Sequence, residues 1–147
     1  MSIEIKELTS KKEIKQFIKF QWGLYRGVQQ FVPPMMEFEL GTFDKKKNPA
    51  FKTTQGRFWM AYKEGKAVGR IVGIIHNEEA KEDKRIRFGW IDFIDDIDVS
   101  TALINTVEEW GKTEGLETIH GPLGFTDLDF EGTLVEGFNQ MSTQATM

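Results

Sequence analysis

Arg87-Phe-Gly-Trp-Ile-Asp-Phe-Ile-Asp-Asp-Ile-Asp98, followed by a helical stretch and then by His120-Gly-Pro-Leu-Gly-Phe125, decides the fold. The order reads as strand, acidic loop, amphipathic helix, glycine-bounded turn and strand. Two strands joined through a helix run parallel, because a hairpin turn cannot connect them. Ligands of such sheets collect at the carboxyl ends of the strands. Val99, Leu103, Val107 and Trp110 mark one helical face, and Gly115 stands where a helix stop is expected. Asp98 or Ser100 is the expected cap.

Upstream, Ile3 and Ile5 alternate with Glu4 and Lys6, as in a half-buried strand. Ser10-Lys-Lys-Glu13 is a capping-box pattern, and Ile14, Phe17 and Ile18 follow at helical spacing. This predicts a helix over 11–21 that frays into 22–27. Pro33-Pro34 opens a second short helix over 35–40, since proline suits a first helical turn. Residues 41–56 read as a long loop. Strands over 57–63 and 66–76 flank Glu64-Gly65, a hairpin signal. Gly69 and Gly73 inside the second strand point to a bulge or to the close approach of another group. Residues 77–84 form a charged connection before the strand at 85–94. After the strand at 117–121 the chain is acidic, with 134–138 as a candidate helix. The order is β-α-α-β-β-β-α-β-(α), an α+β class with a mixed sheet.

Composition narrows the function. A chain of 147 residues with 39% hydrophobic and 29% charged residues is long enough for one domain with its own core. Net charge of −4 argues against nucleic acid as a partner, because phosphate binding needs clustered cations and only Lys45-Lys46-Lys47 forms a basic run. The absence of cysteine excludes thiol catalysis, thiolate metal sites and disulfides. No apolar signal core, membrane-length apolar run or Asn-X-Ser/Thr acceptor occurs, which makes the cytoplasm the expected location.

Two residues are candidates for acid–base work. Asp92 sits between Ile91 and Phe93 within an apolar strand. There a carboxylate serves either as general base toward an amine or as a structural partner of Arg70 or Arg87. His120 closes the strand after the crossover, and an imidazole at that place is either a proton carrier or a hydrogen-bonded strand end. Asp95, Asp96 and Asp98 at the start of the crossover helix read first as caps, since a helix N-terminus favours anions. They would also repel a phosphate. Asp127-Leu-Asp-Phe-Glu-Gly132 matches part of a calcium loop, but Phe138 stands where the bidentate carboxylate belongs, and turn chemistry is the alternative. Trp22, Tyr25, Phe31, Phe38, Phe43 and Phe51 form either the wall of a pocket or an aromatic mini-core.

Val32-Pro-Pro34, Lys47-Asn-Pro-Ala-Phe51, Ala61-Tyr-Lys-Glu-Gly-Lys-Ala-Val-Gly-Arg-Ile71, Phe88-Gly-Trp-Ile-Asp-Phe-Ile-Asp-Asp96 and His120-Gly-Pro-Leu-Gly-Phe-Thr-Asp127 carry a further signal. With these residues the chain resembles the GNAT N-acetyltransferase superfamily, and in particular longer bacterial GNAT-like proteins. The resemblance implies a sheet that splays between the strands at 85–94 and 117–121, with acetyl-CoA lying in the split. It implies acyl transfer to a small-molecule or peptide amine. Asp92 and His120 are then the candidate catalytic groups. The backbone of Phe93 and Ile94, together with Ser100 and Thr101, supplies the candidate cofactor contacts, and no metal is expected.

Two departures stand against that pattern. The superfamily's phosphate loop is usually Gln/Arg-x-x-Gly-x-Gly/Ala, whereas Asp95-Asp-Ile-Asp-Val-Ser100 has no glycine. The superfamily also adds a hairpin after the last helix read here, so residues 1–147 are expected to form a single GNAT-like domain that is incomplete at its C-terminus. The competing expectation is a GNAT-shaped interaction module without the phosphate loop. An edge strand left uncovered would tend to pair with a second copy, which makes a homodimer the expected assembly.

Overall fold

The computed structural model describes residues 2–142. The elements are β1 (Glu4–Leu8), α1 (Lys11–Leu24), α2 (Met36–Phe43), a 3-10 turn (Pro49–Lys52), β2 (Thr54–Lys63), β3 (Lys66–His76), α3 (Asn77–Glu82), β4 (Arg85–Phe93), α4 (Ile97–Thr113) and β5 (Thr118–His120). They form one mixed five-stranded sheet in the order β1-β2-β3-β4-β5. The first three pairings are antiparallel, and β4–β5 is parallel. The expected C-terminal incompleteness concerns chain beyond Ser142, outside the described residues.

Local chemistry sets most element ends. The Ser10 hydroxyl accepts from the Glu13 amide, and the Glu13 carboxylate accepts from the Ser10 amide, which closes the capping box of α1. Two of the four otherwise unpaired donors at the helix start are thereby satisfied. The hairpin between β2 and β3 turns on Glu64 and Gly65, both at positive φ (50° and 76°), the mirror-image turn whose twist matches the flanking strands. Gly115 ends α4 at φ 74°, and the Leu116 amide returns to the Gly111 carbonyl.

Several elements differ from the sequence expectation. Asp96, not Asp98 or Ser100, caps α4. A carboxylate two residues closer to the strand reaches the Asp98 amide, which leaves Asp98 inside the first turn. Residues 77–82 form a short helix rather than a plain connection, held where Arg87 grips Glu79 across the β3–β4 corner. Part of the 41–56 loop winds into the 3-10 turn, capped by the Asn48 side chain. Residues 134–138 are not helical.

The sheet buries both faces. On one face α4 lays Val99, Leu103, Val107 and Trp110 against Trp59, Ala61, Ile71, Ile75 and Ile86. Gly69 and Gly73 are where this helix comes closest. A Cβ on Gly69 would lie 2.8 Å from a Leu103 methyl, and one on Gly73 would lie 2.9 Å from the Trp59 ring. On the other face α1 and α2 cover Phe58, Met60, Val72, Ile74 and Trp90. Phe17, Phe43 and Phe58 meet edge to face with centroids 5.1–5.6 Å apart. The aromatic segment between β1 and β2 therefore contributes to this core.

Candidate active site

The parallel ladder between β4 and β5 is three residues long: Arg85 faces Thr118, Ile86 faces Ile119 and Arg87 faces His120. One more backbone bond follows, from the Leu123 amide to the Phe88 carbonyl (2.9 Å). The chain then leaves the sheet plane and buries Phe125 against Trp90 and Phe51 on the α1/α2 face. The crossing is tight, since a Cβ on Gly89 would fall 2.3 Å from the Leu123 carbonyl oxygen. Among the described residues no strand pairs with the outer side of Gly89–Phe93, so the sheet is split there.

β4 is also bulged at this point. Its pairing with β3 passes from Val72↔Gly89 to Arg70↔Asp92, so Trp90 and Ile91 oppose the single residue Ile71. Trp90 takes φ +43°, a left-handed conformation that a bulky residue adopts at a cost of roughly 1–3 kcal/mol. The bulge puts Gly89 and Trp90 on the same face and turns the Trp90 indole under α2.

Around the bulge lies a buried polar cluster. Arg70 is fully buried, and its Nε donates to Asp92 Oδ2 (2.9 Å) while Nη1 donates to the Phe17 carbonyl (3.1 Å). Its Nη2 is 2.8 Å from the same Oδ2, a charge contact rather than an aligned hydrogen bond. The guanidinium stacks on Phe17, 4.8 Å from the ring centroid. The Tyr25 hydroxyl donates to Asp92 Oδ1 (2.8 Å), and burial with the nearby carboxylate pushes that phenol well above its usual range. Glu39, on α2, is 1% exposed. Burial pushes its carboxyl up to about 7, against the opposing pull of Arg70 and of the Trp90 indole. The indole N–H favours the ionised carboxylate without closing an aligned bond, and both Trp90 Nε1 and Glu39 Oε2 lack a partner.

The candidate residues fall in two places. Asp92 stands in the cluster, with Arg70 on one oxygen and Tyr25 on the other. His120 is exposed at the end of β5, beside the mouth of the split. The Ile94 amide donates to the Val68 carbonyl, and the Ile94 carbonyl accepts from the Asp96 amide. Phe93 is 39% exposed at the opening. The Ser100 hydroxyl donates back to the Ile97 carbonyl (3.0 Å), and Thr101 is exposed in the first turn of α4. Asp96 Oδ1 accepts from the Asp98 amide (2.9 Å), and its Oδ2 pairs with Lys63, which holds the carboxyl below its usual range. The bulge and the open edge of β4 therefore suit a thioester. The start of α4, where the Asp96 carboxylate already occupies the Asp98 amide, does not suit a pyrophosphate.

Glu39 was not singled out from the sequence. Its neighbours Glu37 and Phe38 point outward, and nothing in Met36–Phe43 distinguishes the one glutamate that turns in. Asp129 belongs to the stretch with both a calcium-loop and a turn reading, and its carboxylate accepts from the Thr126 amide (3.0 Å). Two surface depressions, of about 320 and 280 Å³, lie beside Arg57 and Trp110 and beside His76, Arg87, Leu123 and Phe125.

Solved structures share this arrangement. A tandem GNAT protein from the clavulanic acid biosynthesis pathway superposes with a TM-score of 0.63 at 15% identity, covering 80% of this chain and 35% of that one. A putative acetyl transferase from Pyrococcus furiosus gives 0.53 at 18% identity, covering 81% and 80%. AAC(6')-Iy in complex with a CoA-acetylneamine bisubstrate analogue gives 0.56 at 14%, covering 84% and 81%. The fold is that of the GNAT acetyltransferases. In sequence, the chain is 33% identical over 138 residues to Protein YghO of Escherichia coli K12, which covers 92% of the chain and 35% of that protein. It is 27% identical over 132 residues to the bacterial ceramide synthase of Caulobacter vibrioides, covering 86% and 34%. The chain thus spans about a third of the length of the curated relatives it matches. No protein-family model matches it. Among the described residues no helix is long and apolar enough to cross a membrane.

Proposed function

We propose that this GNAT-fold chain carries the acyl-transfer site of an acyl-CoA-dependent N-acyltransferase whose acceptor is an amine. The observation that carries the reading is the split itself: a parallel ladder that stops after Arg87 and His120, directly beside a bulge that lifts Trp90 and Ile91 out of the β3 register. An acyl thioester laid along Gly89–Phe93 would meet strand amides with no other strand to bond. Such donors hold the carbonyl in place and stabilise the charge that develops on its oxygen as the amine adds. The amine nitrogen forms the new C–N bond, the C–S bond breaks, and the proton lost by the nitrogen ends on the leaving sulfur. His120 at the mouth is the proposed proton carrier toward the leaving sulfur, and Thr101 faces outward for the donor. Because both Asp92 oxygens are occupied, its part is to fix Tyr25 and Arg70 at the acceptor side.

The relatives support amide formation as the reaction class. Several fold neighbours are acetyltransferases, and one sequence relative is named a ceramide synthase, a ceramide being the amide of a long-chain amine. A second reading is a GNAT-shaped binding module, favoured by the carboxylate-capped start of α4. Thermal unfolding of the purified chain with acetyl-CoA, and then with a long-chain acyl-CoA, separates the two. At a hundredfold excess over Kd, binding adds about 2.7 kcal/mol and raises Tm. No shift with either thioester at millimolar concentration removes the transferase reading and leaves the binding module.

A further inference from the structure

Three buried side-chain polar atoms without a partner among the described residues belong to one face of the sheet: Trp22 Nε1, Glu39 Oε2 and Trp90 Nε1. Buried polar groups are normally hydrogen-bonded, and a group of orphans in one place marks a site that receives something. Two of these side chains are more than nine-tenths buried, Glu39 at 1% and Trp90 at 8% exposure. Trp90 is the left-handed residue of the β4 bulge, so the orphaned indole and the thioester-facing backbone belong to the same residue. We propose that Glu39 binds the ammonium group of the acceptor and removes its proton, with the Trp90 indole orienting the carboxylate.

This inference rests on the acyl-transfer reading and assigns its base. The charged groups around Glu39 come from three directions: Arg70 on β3, Asp92 on β4 and Asp129 on the segment after β5. Arg70 is bonded to Asp92 and acts on Glu39 only through space, a pull that does not outweigh the burial of the carboxyl. An incoming ammonium would supply a direct counter-charge. The cluster meets solvent at Tyr25 and Asp129, both partly exposed, and Asp129 adds a second negative charge on the approach side. A carboxyl that burial has raised to about 7 is half ionised near neutral pH, the condition under which a base both accepts and returns a proton. In the step, one ammonium proton passes to Glu39, the freed lone pair forms the C–N bond as the C–S bond breaks, and a second proton from nitrogen goes to sulfur. Glu39 then returns its proton to water.

The test uses hexylammonium as probe, followed by calorimetric titration of the purified chain between pH 5 and 8. Affinity is expected to fall by about tenfold per pH unit as Glu39 protonates below its midpoint. Glu39→Gln is expected to weaken binding at pH 8 at least tenfold, and the pH dependence should vanish. Affinity that is flat with pH, equal binding by Glu39→Gln, or no binding by the native chain overturns the assignment. Hexylammonium binding through Glu39 with no acetyl-CoA shift would keep the ammonium subsite and remove the transferase reading. An acetyl-CoA shift without the ammonium subsite would do the reverse.

Discussion

The two faces of the sheet solve burial in opposite ways. Against α4 the buried residues are aliphatic or tryptophan, and no buried charge interrupts them. Against α1 and α2 an aromatic core encloses Arg70, Asp92 and Glu39. The first face is what hydrophobic packing alone would select. On the second, three ionisable groups are kept out of water, which is costly unless pairing compensates. Arg70 and Asp92 compensate each other, and Glu39 has no such partner among the described residues. The difference teaches where to look for function: the α4 face holds the domain together, and the α1/α2 face keeps chemistry next to the split.

The sharpest way to break the comparison is Arg70→Ala. Removing one partner leaves the Asp92 carboxylate buried and unbalanced, and denaturant unfolding is expected to lose about 3–5 kcal/mol. Replacing both, as Arg70→Met with Asp92→Leu, should recover most of that loss. A double variant as unstable as the single one would mean that the pair supports the fold by more than its charge balance. On the other face, Leu103→Ala deletes a fully buried side chain between Gly69 and the core of α4. The expected cost is about 2–5 kcal/mol, with no change in ligand binding.

Glu39 gives the two faces different pH behaviour. Its folded carboxyl is raised above the unfolded value of 4.5, so the unfolded chain releases the proton first. The stability held below pH 4.5 is then lost as pH rises toward 7, by up to about 3 kcal/mol, and the curve flattens above. Glu39→Gln should flatten that window, and a slope that persists in the variant would place its source elsewhere. The smallest effect belongs to Ser10→Ala, which opens the capping box of α1 and should cost about 1 kcal/mol in urea unfolding.

How far these features were legible in the sequence follows from how local they are. The Ser10–Glu13 box, the Glu64-Gly65 turn and the Val99–Trp110 stripe are written within a few residues, and the structure has each of them. Gly69 and Gly73 were readable as places of close approach, although the Trp110 and Leu103 side chains that fill them were not. The strand–helix–strand order gave the parallel crossover, and the family resemblance alone implied the split. The burial of Phe125 beside it was not legible, because that contact joins residues far apart in the chain. The Arg70–Asp92 pair was one of two alternatives for Asp92. Glu39 had no sequence signal, since an inward glutamate on a short helix differs from its outward neighbours only through Trp90, Arg70 and Asp129, all distant in sequence.

The account turns on the unpaired outer edge of β4 receiving a thioester. Amide hydrogen exchange of Gly89–Phe93, read residue by residue by NMR with and without saturating acetyl-CoA, addresses it directly. Slowed exchange confined to amides in that stretch is the expected result. Unchanged exchange there, whatever happens elsewhere in the chain, would contradict it.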